Sequence, residues 1–139
     1  MSHFRPCVII PVYNHPDHLE RIAHTLANHH LPVVFVDDGS ERLCAAELDK
    51  IAATFSDVHL HRLAVNQGKG VAVCEGLRLA HHMGFTHALQ VDADGQHDLT
   101  DIPRFLAAAE VHPQAVISGC RRYDDMPRSR RSGRKLTDF

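Results

Sequence analysis

Leu89-Gln90-Val91-Asp92-Ala93-Asp94-Gly95-Gln96-His97-Asp98 is the stretch on which the fold of this 139-residue chain turns. An apolar run from Ala88 to Val91 stops at Asp92, Asp94, Gln96 and Asp98. A strand that ends in a turn has this form, and here the run predicts a buried strand. Asp92 and Asp94 then form a hard-oxygen site suited to Mg²⁺ or Mn²⁺, which use one or two carboxylates and fill their shell with phosphate oxygens and water. The same residues also suit a solvated, Asx-rich turn. The rest of the chain decides between the two.

The composition, 44% hydrophobic and 23% charged with a net charge of −2, fits one soluble domain with a sizeable core. So balanced a charge does not suggest a nucleic-acid binder. Cys7, Cys44, Cys74 and Cys120 are widely spaced and form no C-x-x-C pair. They are expected to be reduced and mostly buried, as in a cytosolic protein. The N-terminus runs into Cys7-Val8-Ile9-Ile10 with no long apolar segment before it, so no signal peptide is expected. No stretch approaches the ~20 apolar residues of a membrane span.

Outward from the opening stretch, strands and helices alternate. Cys7–Ile10 is a short apolar run closed by Pro11 and predicts a buried parallel strand. Leu19, Ile22, Ala23 and Leu26 mark one face of a helix that ends near His29 or His30. Val33–Val36 is a second strand, ending in Asp37-Asp38-Gly39-Ser40. Leu43, Leu48, Ile51, Ala52 and Phe55 mark a second helix, and Val58–Leu63 a strand with one polar face. Asn66-Gln67-Gly68-Lys69-Gly70 is a glycine-flanked loop before a third helix that stops at Gly84. After the strand His87–Val91, a fourth helix is capped near Asp98 or Thr100, and Ala115–Ser118 predicts a fifth strand. The adjacent pairs His29-His30 and His81-His82 share no helix face, so they suit helix C-termini better than a metal.

This alternation predicts a parallel α/β sheet with helices on both faces and right-handed crossovers. Ligands of such sheets bind at the carboxyl ends of the strands, near a topological switch point. Tyr13-Asn14, Asp37-Asp38, Asn66 to Lys69 and Asp92 to Gln96 should all converge there. That convergence favours a functional site over four unrelated turns.

Pro11-Val12-Tyr13-Asn14, Val36-Asp37-Asp38-Gly39-Ser40, Asn66-Gln67-Gly68-Lys69-Gly70 and Asp92-Ala93-Asp94-Gly95-Gln96-His97 resemble, in that order, the motifs of family-2 glycosyltransferases. The resemblance covers residues 6 to about 123 and lies nearest the dolichyl- or polyprenyl-phosphate sugar transferases. It implies a GT-A fold, a mostly parallel Rossmann-like sheet, in a nucleotide-sugar-binding domain over 1–123. Residues 124–139 would be a basic tail that begins an acceptor-binding half.

The resemblance implies nucleotide-sugar contacts at Pro11, Val12, Tyr13, Asn14, Val36, Asp37, Asp38, Lys69, Asp92, Ala93 and Asp94. Asp92 and Asp94 would be catalytic, Mg²⁺ or Mn²⁺ would be held by Asp94, Gln96 and Asp92, and Arg121, Arg131 and Arg134 would meet an acceptor phosphate. The chain departs from the family at His15, where lipid-phosphate enzymes often carry Glu.

The chemistry of the side chains agrees. Tyr13 can stack on a base or fill the core. Asp38 can accept from a pyrimidine imide or cap the following helix. Lys69 sits where glycines let backbone approach a phosphate. His97 is placed to support a metal ligand from behind.

The expected activity is inverting, metal-dependent transfer of a sugar from a UDP- or GDP-type donor to an acceptor such as a polyprenyl phosphate. A protein with that acceptor would be cytoplasmic and peripheral at the inner face of the membrane. The alternative is a truncated nucleotide-sugar-binding module without turnover of its own. A nucleotidyltransferase would carry a Gly-rich basic loop after the first strand, where Pro-Val-Tyr-Asn stands instead. Neither the Walker pattern nor Gly-x-Gly-x-x-Gly is present.

Overall fold

The structure, a computed structural model, describes residues 4–119. The fold is α/β, as the alternation predicts. Four strands, β1 (Pro6–Val12), β2 (Val33–Asp37), β3 (Val58–Arg62) and β4 (His87–Gln90), form an all-parallel sheet in the order β3-β2-β1-β4. Four helices connect or follow them: α1 (Leu19–Asn28), α2 (Arg42–Thr54), α3 (Lys69–His82) and α4 (Ile102–Val111).

The order dictates the layers. The steps β1→β2 and β2→β3 move one way across the sheet, whereas β3→β4 steps back over β1. Right-handed crossovers then put α1 and α2 on one face and α3 on the other. Two core clusters match this. Val8, Ile10, Val12, Val33 and Phe35 pack with Leu19, Ile22, Leu26, Leu48 and Ile51, while Cys7, Ile9, Val34 and Val36 pack with Ala72 and Ala80. Leu19, Ile22, Ala23 and Leu26 are all buried, the stripe that their spacing predicts. Both α1 and α3 stop in a Schellman turn. His30 and Gly84 take positive φ, and Leu31 and Phe85 donate back to the Leu26 and Ala80 carbonyls.

Three sequence expectations need correction. Pro11 does not close β1 but lies inside it, paired in register with Val36. Val8 donates toward the β2 side and Ile9 accepts from Val91 on the β4 side. By alternation the Pro11 nitrogen faces β4 beyond its last paired residue, Gln90, so no ladder bond is lost. Secondly, β4 is an edge strand rather than a buried one, half-buried at His87 and Leu89 and exposed at Ala88 and Gln90. Thirdly, Ala115–Ser118 forms no strand among the described residues, and Val116 is 97% exposed. The β-branched pair Val116-Ile117 makes a strand only when a neighbour supplies the ladder, and β4 does not pair with it. Of the cysteines, Cys7 and Cys44 are buried free thiols, but Cys74 is exposed on α3. Arg121, Arg131, Arg134, Cys120 and the domain boundary lie outside the described residues.

Helix α3 lies close on the sheet because Gly76 has no side chain. A Cβ there would stand 2.6 Å from Ile9 Cγ2 and 3.1 Å from Val36 Cγ2, both on stiff, buried β-branched side chains. Gly70, one turn and a half earlier, has open space around the same position. The two alanine substitutions should therefore have opposite signs in urea denaturation. Gly70→Ala should gain about 0.5–1 kcal/mol from helix propensity. Gly76→Ala should lose about 1 kcal/mol or more, because overpacking outweighs that gain.

Candidate functional site

β1 and β4 are neighbours although their connections leave in opposite directions, so the switch point of the sheet lies between them. The loops after β1, β2, β3 and β4 meet at this edge, where the four motifs were expected.

At the end of β2, Asp37 is 0% and Asp38 2% exposed. Buried carboxylates must be hydrogen-bonded or paired, and both are. Asp37 accepts from Ser40 N at 2.9 Å and Arg62 Nε at 2.8 Å. Arg62 in turn reaches Asp49 and the Ala45 carbonyl of α2. The hydrogen bond to Asp37, helped by Asp49, raises the Arg62 pKa further against the opposing effect of burial. Asp38 accepts from Gln67 N at 2.7 Å, Gly68 N at 2.9 Å and Asn66 Nδ2 at 3.1 Å. It does not cap α2, whose N-cap is Glu41. It holds the β3–α3 loop instead. Gly39 fits beneath that loop with φ +72°, where any Cβ would overlap the Val65–Asn66 backbone.

The β1–α1 loop is bound to the same cluster. Asn14, at φ 53°, donates its N–H to Ser40 Oγ and accepts from Glu41 N at 2.7 Å. Tyr13 beside it is 46% exposed, which removes the core role and leaves its ring free to stack. Pro11, Val12 and Val36 are buried, so Val36 can offer a ligand only its backbone. His15 is exposed.

After β4, Asp92 is held on both oxygens. Lys69 Nζ lies 2.6 Å from Oδ1 and His97 Nε2 3.3 Å from Oδ2, with Gln90 Nε2 also at 3.3 Å from Oδ1. Burial pushes the Asp92 pKa up, but Lys69 and His97 together outweigh it and hold the carboxyl below its usual value. Ala93 is buried. Asp94 is half-buried and accepts from Gln96 N at 3.0 Å through Oδ1. Among the described residues no hydrogen bond reaches its Oδ2. Asp98 caps the following turn by accepting from Thr100, and the Thr100 hydroxyl and N–H depress its pKa.

A hard divalent cation fits this donor set: one carboxylate oxygen open, a second carboxylate two residues before it and the Gln96 amide two residues after. Among the described residues no three His, Cys, Asp or Glu side chains form a preformed cage. The cavity lined by Ala23, Leu31, Phe55 and Val58, about 200 Å³, opens at the opposite edge of the sheet and is separate from this site.

The sequence pattern placed Asn66 at this edge but did not reveal its bond to Asp38, nor Arg62 or the Lys69–Asp92 pair. The register does place Arg62 opposite Asp37, so it could have been found once β2 and β3 were taken as neighbours. His18 and Arg21 of the α1 entry are a further omission. Both close on Gly95, whose Cβ would lie 2.9 Å from Arg21 Nη2.

Residues 7–137 match the family described as Glycosyl transferase family 2. The chain is 32% identical over 118 residues to the polyprenol monophosphomannose synthase of Mycolicibacterium smegmatis, covering 81% of this chain and 44% of that one. It is also 32% identical over 120 residues to the undecaprenyl-phosphate mannosyltransferase of Micrococcus luteus, covering 85% and 49%. Its fold is similar to that of a mannosyltransferase from Pyrobaculum calidifontis in complex with GDP-Man and Mn²⁺, with TM-score 0.67, 24% identity, and coverage of 87% and 36%. The chain thus spans about half the length of the curated relatives it matches.

Replacement of Asp38 by Ala removes the buried carboxylate that accepts from the Gln67 and Gly68 N–H groups. Such hydrogen bonds to a charged acceptor are worth about 1.5–3 kcal/mol. Asp38→Ala should therefore lower unfolding free energy by about 2–3 kcal/mol and speed amide exchange in residues 66–68. Unchanged stability in urea would mean that the loop is held by other contacts.

Proposed function

The chain belongs to glycosyl transferase family 2, and from that membership we propose that it forms the donor-binding part of an inverting, metal-dependent glycosyltransferase. The donor is a nucleoside diphosphate sugar of UDP or GDP type, and the acceptor a polyprenyl phosphate. The observation that carries this is the turn Asp92–Gln96 at the switch point, where among the described residues one Asp94 oxygen is free beside the Lys69–Asp92 pair.

Each residue then has a task. Tyr13 stacks on the base, and Asn14, Asp37 and Asp38 shape the pocket around it. Pro11, Val12 and Val36 supply its floor and backbone. Asp94 and Gln96 hold Mg²⁺ or Mn²⁺, with Asp92 beside them and His97 fixing Asp92. The ion, when bound, supplies Lewis-acid neutralisation of the diphosphate leaving group. Ala93 packs the turn and fixes the spacing of the two carboxylates. A phosphate acceptor is already an anion near neutral pH, its second pKa being about 6, so no general base is needed. It needs cations for docking, the task of Arg121, Arg131 and Arg134. Direct displacement by this anion inverts the anomeric centre.

Support for the acceptor comes from the two relatives, whose names specify polyprenol and undecaprenyl phosphate. Among the described residues no helix is long and apolar enough to cross a membrane. A peripheral place at the cytoplasmic face would bring the site to such a lipid. Since the chain spans about half of its relatives, donor binding without turnover by this stretch alone is the second reading.

Calorimetry with GDP and UDP, with and without Mn²⁺, tests donor binding. Asp94→Asn keeps an Oδ1 acceptor for Gln96 N, so the turn should fold unchanged. Its Mn²⁺-dependent nucleotide affinity should fall at least about ten-fold, which is ~1.4 kcal/mol. Equal affinity with metal present removes the metal assignment. Sugar transfer to polyprenyl phosphate by residues 1–139 would remove the second reading, and donor binding without transfer would support it.

The acceptor has its own test. Liposomes with polyprenyl-phosphate lipid should bind the protein less as salt rises, since exposed charges are screened over about 10 Å at 0.1 M. Replacing Arg128, Arg130, Arg131 and Arg134 with Ser should abolish sedimentation with them while nucleotide affinity stays the same. Undiminished sedimentation would remove the role of this segment in docking.

A further inference from the structure

The two aspartates of the turn differ in what they already hold. Among the described residues Asp94 keeps an oxygen free, whereas both oxygens of Asp92 are engaged, one by the Lys69 ammonium and the other by the His97 ring. The closer partner is Lys69, at 2.6 Å, the first residue of α3.

Two features distinguish Lys69 from an ordinary surface lysine. Its backbone is anchored: the two residues before it, Gln67 and Gly68, both donate their N–H groups to the buried Asp38 carboxylate. Its side chain is not anchored, being 57% exposed, so the ammonium can swing on a fixed pivot. A lysine stem is flexible and its ammonium is a compact point charge, a sound stand-in for an inorganic cation. A second cation arriving at Asp92 Oδ1 meets like charge at that distance. A diphosphate removes the conflict, because it offers anionic oxygens for Lys69 to follow.

We propose that Lys69 is a positioning residue, a tethered counter-cation that occupies Asp92 in the free protein and moves to the diphosphate when donor binds. This deepens the donor-binding reading above and rests on it. Asp92 thereby stays neutralised and correctly aimed in the free state, and divalent cation binding becomes dependent on nucleotide. Bare cation binds weakly, at Asp94, and cation with diphosphate binds tightly.

Lys69→Met keeps the stem and removes the charge, and Lys69→Gln serves as a second variant should the first not fold, which circular dichroism reports. Mn²⁺ binding is read by electron paramagnetic resonance without nucleotide, and GDP and UDP binding by calorimetry with Mn²⁺ present. The expected result has opposite signs: Mn²⁺ alone binds about five-fold tighter, and the diphosphate about five-fold or more weaker, each the scale of one screened unit charge at ~4 Å. The nucleosides guanosine and uridine should bind as before. If both affinities are unchanged, or both fall, Lys69 is a surface ion pair or a structural contact and the proposal is overturned. If the original protein binds neither GDP nor UDP with Mn²⁺, the donor-binding reading fails instead.

Discussion

Two buried carboxylates at the end of β2 govern the whole ligand edge. A desolvated, unpaired carboxylate is far costlier than the net gain from any single hydrogen bond. Asp37 and Asp38 can stay buried only if the surrounding loops turn donors toward them. Asp37 draws in Ser40 and Arg62, and through Arg62 the flank of α2. Asp38 draws in Asn66, Gln67 and Gly68. Asn14 then ties the β1 loop to Ser40 and Glu41. Three loops, from Asn14 to Gly68, become one rim for reasons of solvation.

That rim sets the geometry of the next layer. Because Gly68 is fixed, α3 starts at Lys69 and its side chain reaches Asp92 across the switch point. The free Asp94 oxygen lies two residues on, in a turn that Gly95 allows by its positive φ and its lack of a side chain against His18 and Arg21. Among the described residues the site thus sets a cation on Asp92 beside an Asp94 carboxylate with one open oxygen. Such an arrangement suits a ligand that brings both a divalent cation and phosphates.

The sheet is arranged to present this edge. β1, buried on both faces, lies between β2 and β4, and Pro11 fits within it because its missing N–H falls beyond the end of β4. The other edge of β4 is unpaired among the described residues, and its exposed Ala88 and Gln90 reflect that. The chain belongs to glycosyl transferase family 2 and spans about half the length of the curated relatives it matches.

The sequence by itself determined the element order, the parallel α/β class and the four motifs at the strand ends. These follow from local rules: period-two and apolar runs for strands, the Leu19–Leu26 spacing for α1, Gly84 for the stop of α3, and acids where strands end. It also determined that Asp92 and Asp94 are neighbours on one turn. Only the tertiary structure decided what each acid does. Whether Asp38 caps a helix, meets a base or braces a loop depends on which donors lie within hydrogen-bond distance, and those come from residues 66–68. The Lys69–Asp92 pair joins residues 23 apart in sequence and exists only because α3 crosses back over the sheet. The missing strand at Ala115–Ser118 has the same cause. A strand is a property of a pair, and four residues cannot specify whether a neighbour's free edge will accept them.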